Sequence, residues 1–194
     1  MEYVFSAADS LAYLRNSAAE INTFSPDLVF EIGSAISDGE ANVNNTVNFT
    51  PDGSSVDVRF GRMIVEDSYG PENSNLTLPM SMEYFADGEY VLNTFDSCST
   101  WNSANASVDS LSSILPGSGA VSSGTTGSNG LELAAPTTVA GTPDTGDATV
   151  TYDAPFWLEG DFNGDGNFNN DPSATSTFSV YRGHERVIYK KELR

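Results

Sequence analysis

The sequence predicts an all-β fold, a β-sandwich of about eight or nine strands with long loops and little helix. Short apolar or alternating runs recur along the chain, and turn residues separate them. The 194 residues suffice for one domain with its own core, and the 39% hydrophobic and 11% aromatic content is that of a globular chain. We therefore expect residues 1–194 to form a single β-sandwich domain.

The clearest strand signal is a hairpin at Ala86-Asp87-Gly88. Aromatic-rich runs at 82–85 and 89–92 flank this turn. Asp-Gly suits a tight type I′ turn because both central residues of that turn need a positive φ angle. Further strands are expected at 28–32, 56–60 with 63–65, 148–152, 156–158 and 175–181, and a terminal hairpin at 178–189.

Helix is expected in two places at most. Residues 7–21 offer Asp9 or Ser10 as a cap and apolar residues at helical spacing, and residues 107–115 are the other candidate. The stretch 115–130 is rich in Gly, Ser and Thr, which predicts either a flexible surface loop or an excursion between strands.

The charge of the chain is strongly unbalanced. With 27 acidic and 8 basic residues the net charge is -19, which excludes a nucleic-acid-binding role because phosphate neutralisation needs a basic face. No apolar run approaches the ~20 residues of a membrane-spanning helix. No signal peptide follows Met1, so we expect an export signal upstream and regard these residues as the C-terminal part of a larger exported protein.

Enzyme activity is not expected. Cys98 is the only cysteine and His184 the only histidine, and they lie far apart in the sequence. Neither a GxSxG nor an HExxH arrangement is present. Cys98 is therefore interpreted as a small buried hydrophobe, or as a thiol whose disulfide partner lies upstream.

An acidic loop between 159 and 171 carries the strongest functional signal. Calcium takes six to eight oxygen ligands, and loops supply them from alternate positions around a glycine turn. The order Asp-x-Asn-x-Asp-Gly from 161 to 166 matches this pattern. The predicted calcium ligands are Asp161, Asn163, Asp165, Asn167 through its carbonyl, Asn169 and Asp171.

The same loop departs from an EF-hand at its end. Pro172 stands where an EF-hand places a bidentate glutamate, and no amphipathic helix follows. We therefore expect a structural calcium site within β structure, closed by Asp171 or Glu159. The alternative is a turn without metal, because Asn, Asp and Gly favour turns by themselves.

The two tryptophans have different sequence surroundings. Trp157 lies in the apolar run Phe156-Trp157-Leu158, which favours a place in the core. Trp101 lies in a polar stretch, so we expect it to be exposed and available to a ligand such as a sugar ring.

Three segments together resemble a known family. They are 59–72 with Arg59-Phe60-Gly61-Arg62-Met63, 83–98 ending in Asp96-Ser97-Cys98, and 157–189 with Asp171-Pro172-Ser173-Ala174. They are similar to the C-terminal domain of the MshQ proteins of MSHA (mannose-sensitive haemagglutinin) pilus biogenesis, a domain of unknown function in large bacterial surface proteins. The resemblance covers the chain from residue 25 onward, but 100–130 matches poorly and His184 departs from the pattern.

The resemblance implies an extracellular context, with genes of a type IV pilus, and supplies no mechanism. The functional expectation is a non-enzymatic, calcium-stabilised surface or adhesin-type domain, displayed on a pilus or the cell surface. Its expected partners are calcium, and pilus components or surface glycans. Two alternatives are a carbohydrate-binding module and a purely structural capping domain that uses the terminal hairpin, where the basic residues concentrate.

Overall fold

The fold is all-β, as the sequence predicts. A computed structural model describes residues 14–25, 57–109, 111–136 and 144–180, together with the backbone of four strands between 28 and 49. These residues contain no α-helix and one 3₁₀ turn, Ser103–Asn105. Their strands are β1 (Leu28–Glu31), β2 (Ile36–Ser37), β3 (Asn42–Val43), β4 (Thr46–Phe49), β5 (Gly61–Val65), β6 (Ser68–Pro71), β7 (Leu76–Leu78), β8 (Met80–Ala86), β9 (Glu89–Leu92), β10 (Thr100–Asn102), β11 (Ala106–Val108), β12 (Ser118–Ala120), β13 (Leu131–Leu133), β14 (Gly146–Tyr152) and β15 (Ser173–Ser179).

The strands form several small sheets, which is why they outnumber the expected eight or nine. The largest sheet has the order β11-β14-β15-β6, and a second sheet has the order β5-β8-β9. The remaining strands pair in twos: β1 with β4, β2 with β3, β7 with β13, and β10 with β12. The arrangement is sandwich-like, with short strands divided among facing sheets.

Strands β14 and β15 are the longest continuous pairing in the large sheet. They are antiparallel from Gly146↔Phe178 to Thr151↔Ser173. The other edge of β15 pairs in parallel with β6, from Ser176↔Ser68 to Ser179↔Pro71. Because β15 follows the acidic loop directly, this sheet fixes the chain where it leaves the loop.

The core is formed by side chains that alternate between the buried and the outer face of each strand. Side chains of a strand point to opposite faces in turn, so every second residue of β14 and β15 is buried. One buried cluster unites these faces with the other sheets: Met63, Val65, Leu76, Leu78, Met80, Met82, Trp101, Val121, Leu131, Leu133, Ala148, Val150, Tyr152, Ala154, Leu158, Ala174 and Phe178. The continuity of this cluster gives the described residues a shared hydrophobic core.

The predicted hairpin is confirmed. Strands β8 and β9 pair antiparallel up to Ala86↔Glu89, which leaves a two-residue turn. Asp87 has a φ of 54° and Gly88 a φ of 92°, the two positive angles that a type I′ turn requires. The strands expected at 28–32, 63–65, 148–152 and 175–181 are also present, as β1, β5, β14 and β15.

Both helix predictions are wrong where they can be checked. Residues 14–21 contain a turn and no helix, and residues 7–13 lie outside the described part. The segment 107–115 begins in β11 instead, where Ala106–Val108 pairs with β14. Its apolar residues Leu111 and Ile114 pack against the core cluster, so burial rather than helix explains their spacing.

Other expectations need correction as well. Residues 156–158 form a turn instead of a strand, although the Leu158 carbonyl accepts a hydrogen bond from the Met63 N–H (2.7 Å). Cys98 is exposed rather than buried. The terminal hairpin beyond Val180, including His184, lies outside the described residues. Within the described part, no helix has the length and apolarity to cross a membrane.

The segment 115–130 is an excursion between strands, not the flexible loop that the sequence also allowed. It contains β12, which pairs with β10, and a bridge joins Thr125 to Ser81 of β8. The buried Thr126 exchanges hydrogen bonds with Met80: its N–H donates to the Met80 carbonyl and its Oγ1 accepts from the Met80 N–H, each at 2.9 Å. These contacts dock the segment onto β8.

Gly130 provides a test of this docking. A Cβ on Gly130 would overlap the carbonyl of Leu78, a backbone group that cannot rotate away. We expect Gly130→Ala to lower the free energy of unfolding by about 1–3 kcal/mol, because overpacked sites must displace backbone. Urea denaturation measures this change. Ser128→Ala, at an exposed neighbour, should change it by less than about 0.5 kcal/mol, and equal effects would contradict the close approach.

Candidate calcium loop and the adjoining aromatic pocket

The acidic loop is closed at its base by backbone hydrogen bonds. The N–H of Gly160 donates to the Asn170 carbonyl, and the N–H of Asn170 donates to the Gly160 carbonyl, each at 3.0 Å. Before this bridge lies the buried Leu158, and after it the buried Pro172, whose carbonyl accepts from the Tyr152 N–H of β14 (3.0 Å). Both ends of the loop are thus held by the core.

The first half of the loop folds around the carboxylate of Asp161. Its Oδ1 accepts from the Asp165 N–H and its Oδ2 from the Gly166 N–H, each at 3.0 Å. The Asn163 Oδ1 accepts from the same Asp165 N–H at 3.0 Å. Gly164 (φ 74°) and Gly166 (φ 81°) occupy the left-handed region, which suits glycine at these bends. Three oxygen-bearing side chains therefore surround one short turn.

Asp165 is held in its ionised form by hydrogen bonds within the loop. Its Oδ1 accepts from the Asn167 N–H (2.8 Å), and its Oδ2 accepts from the Asn163 Nδ2 (3.1 Å). These donors, the Asn167 backbone first, lower the pKa of Asp165 because they stabilise the charged form. The loop thus presents a stable negative charge to solvent.

The later ligands predicted from the sequence lie differently. Asp171 uses its Oδ1 to accept a hydrogen bond from the Ala154 N–H (2.9 Å), which ties it to the end of β14. The side chain of Asn169 is exposed and, within the described residues, makes no hydrogen bond to the other predicted ligands. The structure therefore gathers the side chains of Asp161, Asn163 and Asp165 with the Asn167 N–H, and leaves the side chains of Asn169 and Asp171 outside this turn.

Glu159 is the second candidate for the closing carboxylate. Burial raises its pKa, the negative charge of Asp171 raises it further, and Arg15 opposes both. A cation near Glu159 and Asp171 would relieve their repulsion. Both residues stay candidates because their like charges lie close enough to interact. Neither side chain has a hydrogen bond to Asp161 or Asp165 within the described part.

The donor set of the loop suits calcium better than a transition metal. Carboxylate, amide and carbonyl oxygens are the ligands of hard cations. Among the described residues, no three acidic, histidine or cysteine side chains converge on a common metal position. The Asp161–Asn167 turn supplies two carboxylates, and each of their oxygens keeps a lone pair beyond its N–H partner. The turn therefore offers oxygen ligands of the kind that calcium takes.

Phe168 anchors the loop, a role that the sequence pattern alone did not indicate. It is 7% exposed, its ring packs edge-on against Phe60 (centroids 5.4 Å apart), and its N–H donates to the Ser17 carbonyl (2.7 Å). An apolar side chain inside a run of Asp, Asn and Gly was the available signal. The anchor joins the loop to the segment 14–25.

An aromatic pocket adjoins the loop on the side of Arg15. We use this name for the cavity of about 290 Å³ lined chiefly by Arg15, Ile21, Arg59, Phe60, Phe156 and Trp157. The Arg15 Nη1 donates to the Phe156 carbonyl (2.9 Å) and its Nη2 to the Glu159 carbonyl (2.8 Å). The Arg15 guanidinium also lies 4.1 Å from the Phe60 ring centroid. One arginine thus links the pocket wall to the start of the loop.

The two tryptophans exchange their expected places. Trp157 is 54% exposed at the rim of the aromatic pocket, although its apolar run favoured the core. Trp101 is 7% exposed and belongs to the core cluster. Glycines cover its ring, since a Cβ on Gly119 would lie 2.8 Å from the Trp101 Nε1. The exposure on which a ligand-binding role for Trp101 depended is therefore absent.

Fold and loop together define a class: an acidic, sandwich-like all-β domain with an Asp-, Asn- and Gly-rich loop between two core strands. Comparison with known families assigns it further. The chain belongs to the DUF6701 family, because the model of the fourth domain of that family matches residues 59–193. This is an uncharacterised domain family. No curated protein and no solved structure matches the chain.

Titration of the carboxylates tests the site. Without calcium we expect the pKa of Asp165 below, and that of Glu159 above, the ordinary value for its residue type. The stabilisation from Asp165 is then present above the unfolded aspartate pKa and is lost as the pH falls through the lowered value. Carboxyl-carbon NMR measures both midpoints. Calcium should lower the midpoints of the carboxylates that bind it. Unchanged midpoints throughout would contradict the site.

Proposed function

We propose that this chain is a non-enzymatic, calcium-stabilised surface domain of adhesin type, part of an exported protein associated with a type IV, MSHA-like pilus or with the cell surface. The observation that carries the proposal is the Asp161–Asn167 turn, where three oxygen-bearing side chains meet around backbone N–H groups. Calcium is the cofactor that this donor set favours.

Electrostatics supports a cation at this turn. Asp161 and Asp165 carry like charges on one short bend, within a chain of net charge -19. Their hydrogen-bond donors within the described residues are backbone N–H groups and one amide, so no cationic side chain of that part of the chain pairs with them. A bound calcium ion would remove the repulsion and favour the folded loop by mass action.

The position of the loop gives calcium a structural role. The loop connects the core residue Leu158 to β15, and β15 lies between β14 and β6 in the largest sheet. An ordered loop therefore fixes the start of β15, a central strand of this sheet. This position supports a structural role for calcium, in which the ion stiffens the domain, over a role as a calcium sensor.

The extracellular location is supported by three features. First, the segments that resemble MshQ surface proteins fall largely within the residues that the DUF6701 model matches. A site with few carboxylates suits the ~0.1–1 mM calcium affinities of extracellular modules. An acidic surface of this kind keeps a displayed domain soluble in the presence of salt.

Thermal unfolding with calcium and with chelator tests the proposal. At a calcium concentration of about a hundred times Kd we expect about 2.7 kcal/mol of stabilisation. For a chain of this size that corresponds to a melting temperature higher by roughly 5–11 °C. Asp165→Ala should remove most of this increase, because it deletes a ligand and two hydrogen-bond acceptors.

A matched variant distinguishes the loss of a calcium ligand in the loop from the loss of one negative charge elsewhere in the chain. Asp144→Ala removes an exposed aspartate whose carboxylate accepts from the N–H of its neighbour Thr145. It should keep the full calcium-dependent increase. A melting temperature that is the same with calcium and chelator in the unmodified chain would refute the calcium site, and a loss in both variants would assign the effect to net charge.

A further inference from the structure

We propose that the aromatic pocket binds a neutral sugar ring of a glycan, stacked on Phe156 and Trp157 beside Arg15. This inference rests on the proposed function, since it names the ligand class of an adhesin-type domain. Its site contains no residue of the Asp161–Asn167 turn, so sugar binding and calcium binding have separate readouts.

The exposed rings are the first observation. Phe156 is 58% exposed and Trp157 54%, and their rings meet edge to face with centroids 5.1 Å apart. Phe95, 73% exposed, extends this surface next to Arg59, whose guanidinium lies 4.6 Å from the Phe95 ring centroid. Apolar rings grouped in water at the rim of a cavity are typical of a binding site. The C–H face of a pyranose ring is apolar and packs on such rings.

The polar groups of the pocket are the second observation. The Nε atoms of Arg15 and Arg59 are shielded from solvent, and neither has a hydrogen-bond partner among the described residues. Both arginines line the pocket. Sugar hydroxyl and ring oxygens accept hydrogen bonds, so a small shift of either guanidinium would satisfy these donors. Aromatic walls with a few polar groups give both affinity and orientation.

The charges around the pocket favour a neutral sugar over an anionic one. Arg59 is already paired with Asp57 (3.3 Å), and Arg15 donates to two carbonyls and has Glu159 nearby. Neither guanidinium is left as an uncompensated charge that requires an anion. The chain as a whole carries -19, which repels acidic polysaccharides. The guanidinium N–H groups of Arg15 and Arg59, whose charges are already compensated, are therefore suited to the hydroxyl oxygens of a neutral sugar.

The pocket is also held in place before any ligand arrives. Arg15 fixes the Phe156 carbonyl, and Phe168 holds both Phe60 and the Ser17 carbonyl. Its wall therefore combines residues 14–25, the start of β5 and the turn at 155–158. A preformed wall lowers the ordering cost of binding.

The experiment is an NMR titration of the calcium-saturated chain that follows the two tryptophan indole N–H signals. The probes are cellopentaose, mannopentaose and chitopentaose, with pentagalacturonate as the anionic counterpart. We expect at least one neutral pentasaccharide to shift the Trp157 signal in a saturable manner and to leave that of the buried Trp101 in place. Trp157→Ala should weaken binding about tenfold, measured by calorimetry.

Tyr69→Ala is the matched control, since Tyr69 is an aromatic residue of β6 that is 73% exposed and does not line the aromatic pocket. The Tyr69→Ala variant should bind the sugar with the same affinity as the unmodified chain. Four results would overturn the inference: no shift with any neutral sugar, binding of pentagalacturonate alone, equal losses in Trp157→Ala and Tyr69→Ala, or a Trp157 signal that moves with protein concentration, which would show a second copy in the pocket. A persisting calcium-dependent melting temperature in those cases would leave the proposed function standing.

Discussion

The burial of Phe168 is the contact on which the loop and the pocket both depend. A run of Asp, Asn and Gly has little apolar surface with which to order itself. Phe168 supplies that surface at one point, against Phe60, while its backbone N–H reaches Ser17. The backbone bridge between Gly160 and Asn170 then closes the loop below it. A polar loop thus acquires a fixed shape from one apolar side chain and a few backbone hydrogen bonds.

Arg15 extends this arrangement from the loop to the pocket. Its guanidinium faces the Phe60 ring and bonds the carbonyls of Phe156 and Glu159, so it touches both sides of the turn that precedes the loop. Burial disfavours its charge and lowers its pKa, while Glu159 favours the charge. The loop and the pocket are therefore parts of one connected structure, and loss of order in the loop would reach the pocket wall through these contacts.

The sequence predicted features that are local and missed those that depend on distant partners. The Asp87-Gly88 turn and the alternating strand β14 follow from neighbours in the chain, and so does the turn of Asp161, Asn163 and Asp165. The tryptophans do not. Trp101 is buried because glycines of β12 and its flank cover the ring, and Trp157 is exposed because Leu158 occupies the core position beside it. The parallel pairing of β15 with β6 joins residues more than a hundred positions apart, which no local pattern encodes.

The arginines of the described residues share one kind of contact. Arg15, Arg59 and Arg62 each lie over an aromatic ring: Phe60 for the first, Tyr84 and Phe95 for the second, Tyr90 for the third. The ion pairs of the described residues, Arg59–Asp57 and Arg62–Glu83, lie in the same region. Among the described residues, the basic side chains thus lie against aromatic rings, and none of them donates a hydrogen bond to Asp161 or Asp165. Under the proposed function, calcium would supply at that turn the positive charge that Arg15, Arg59 and Arg62 do not.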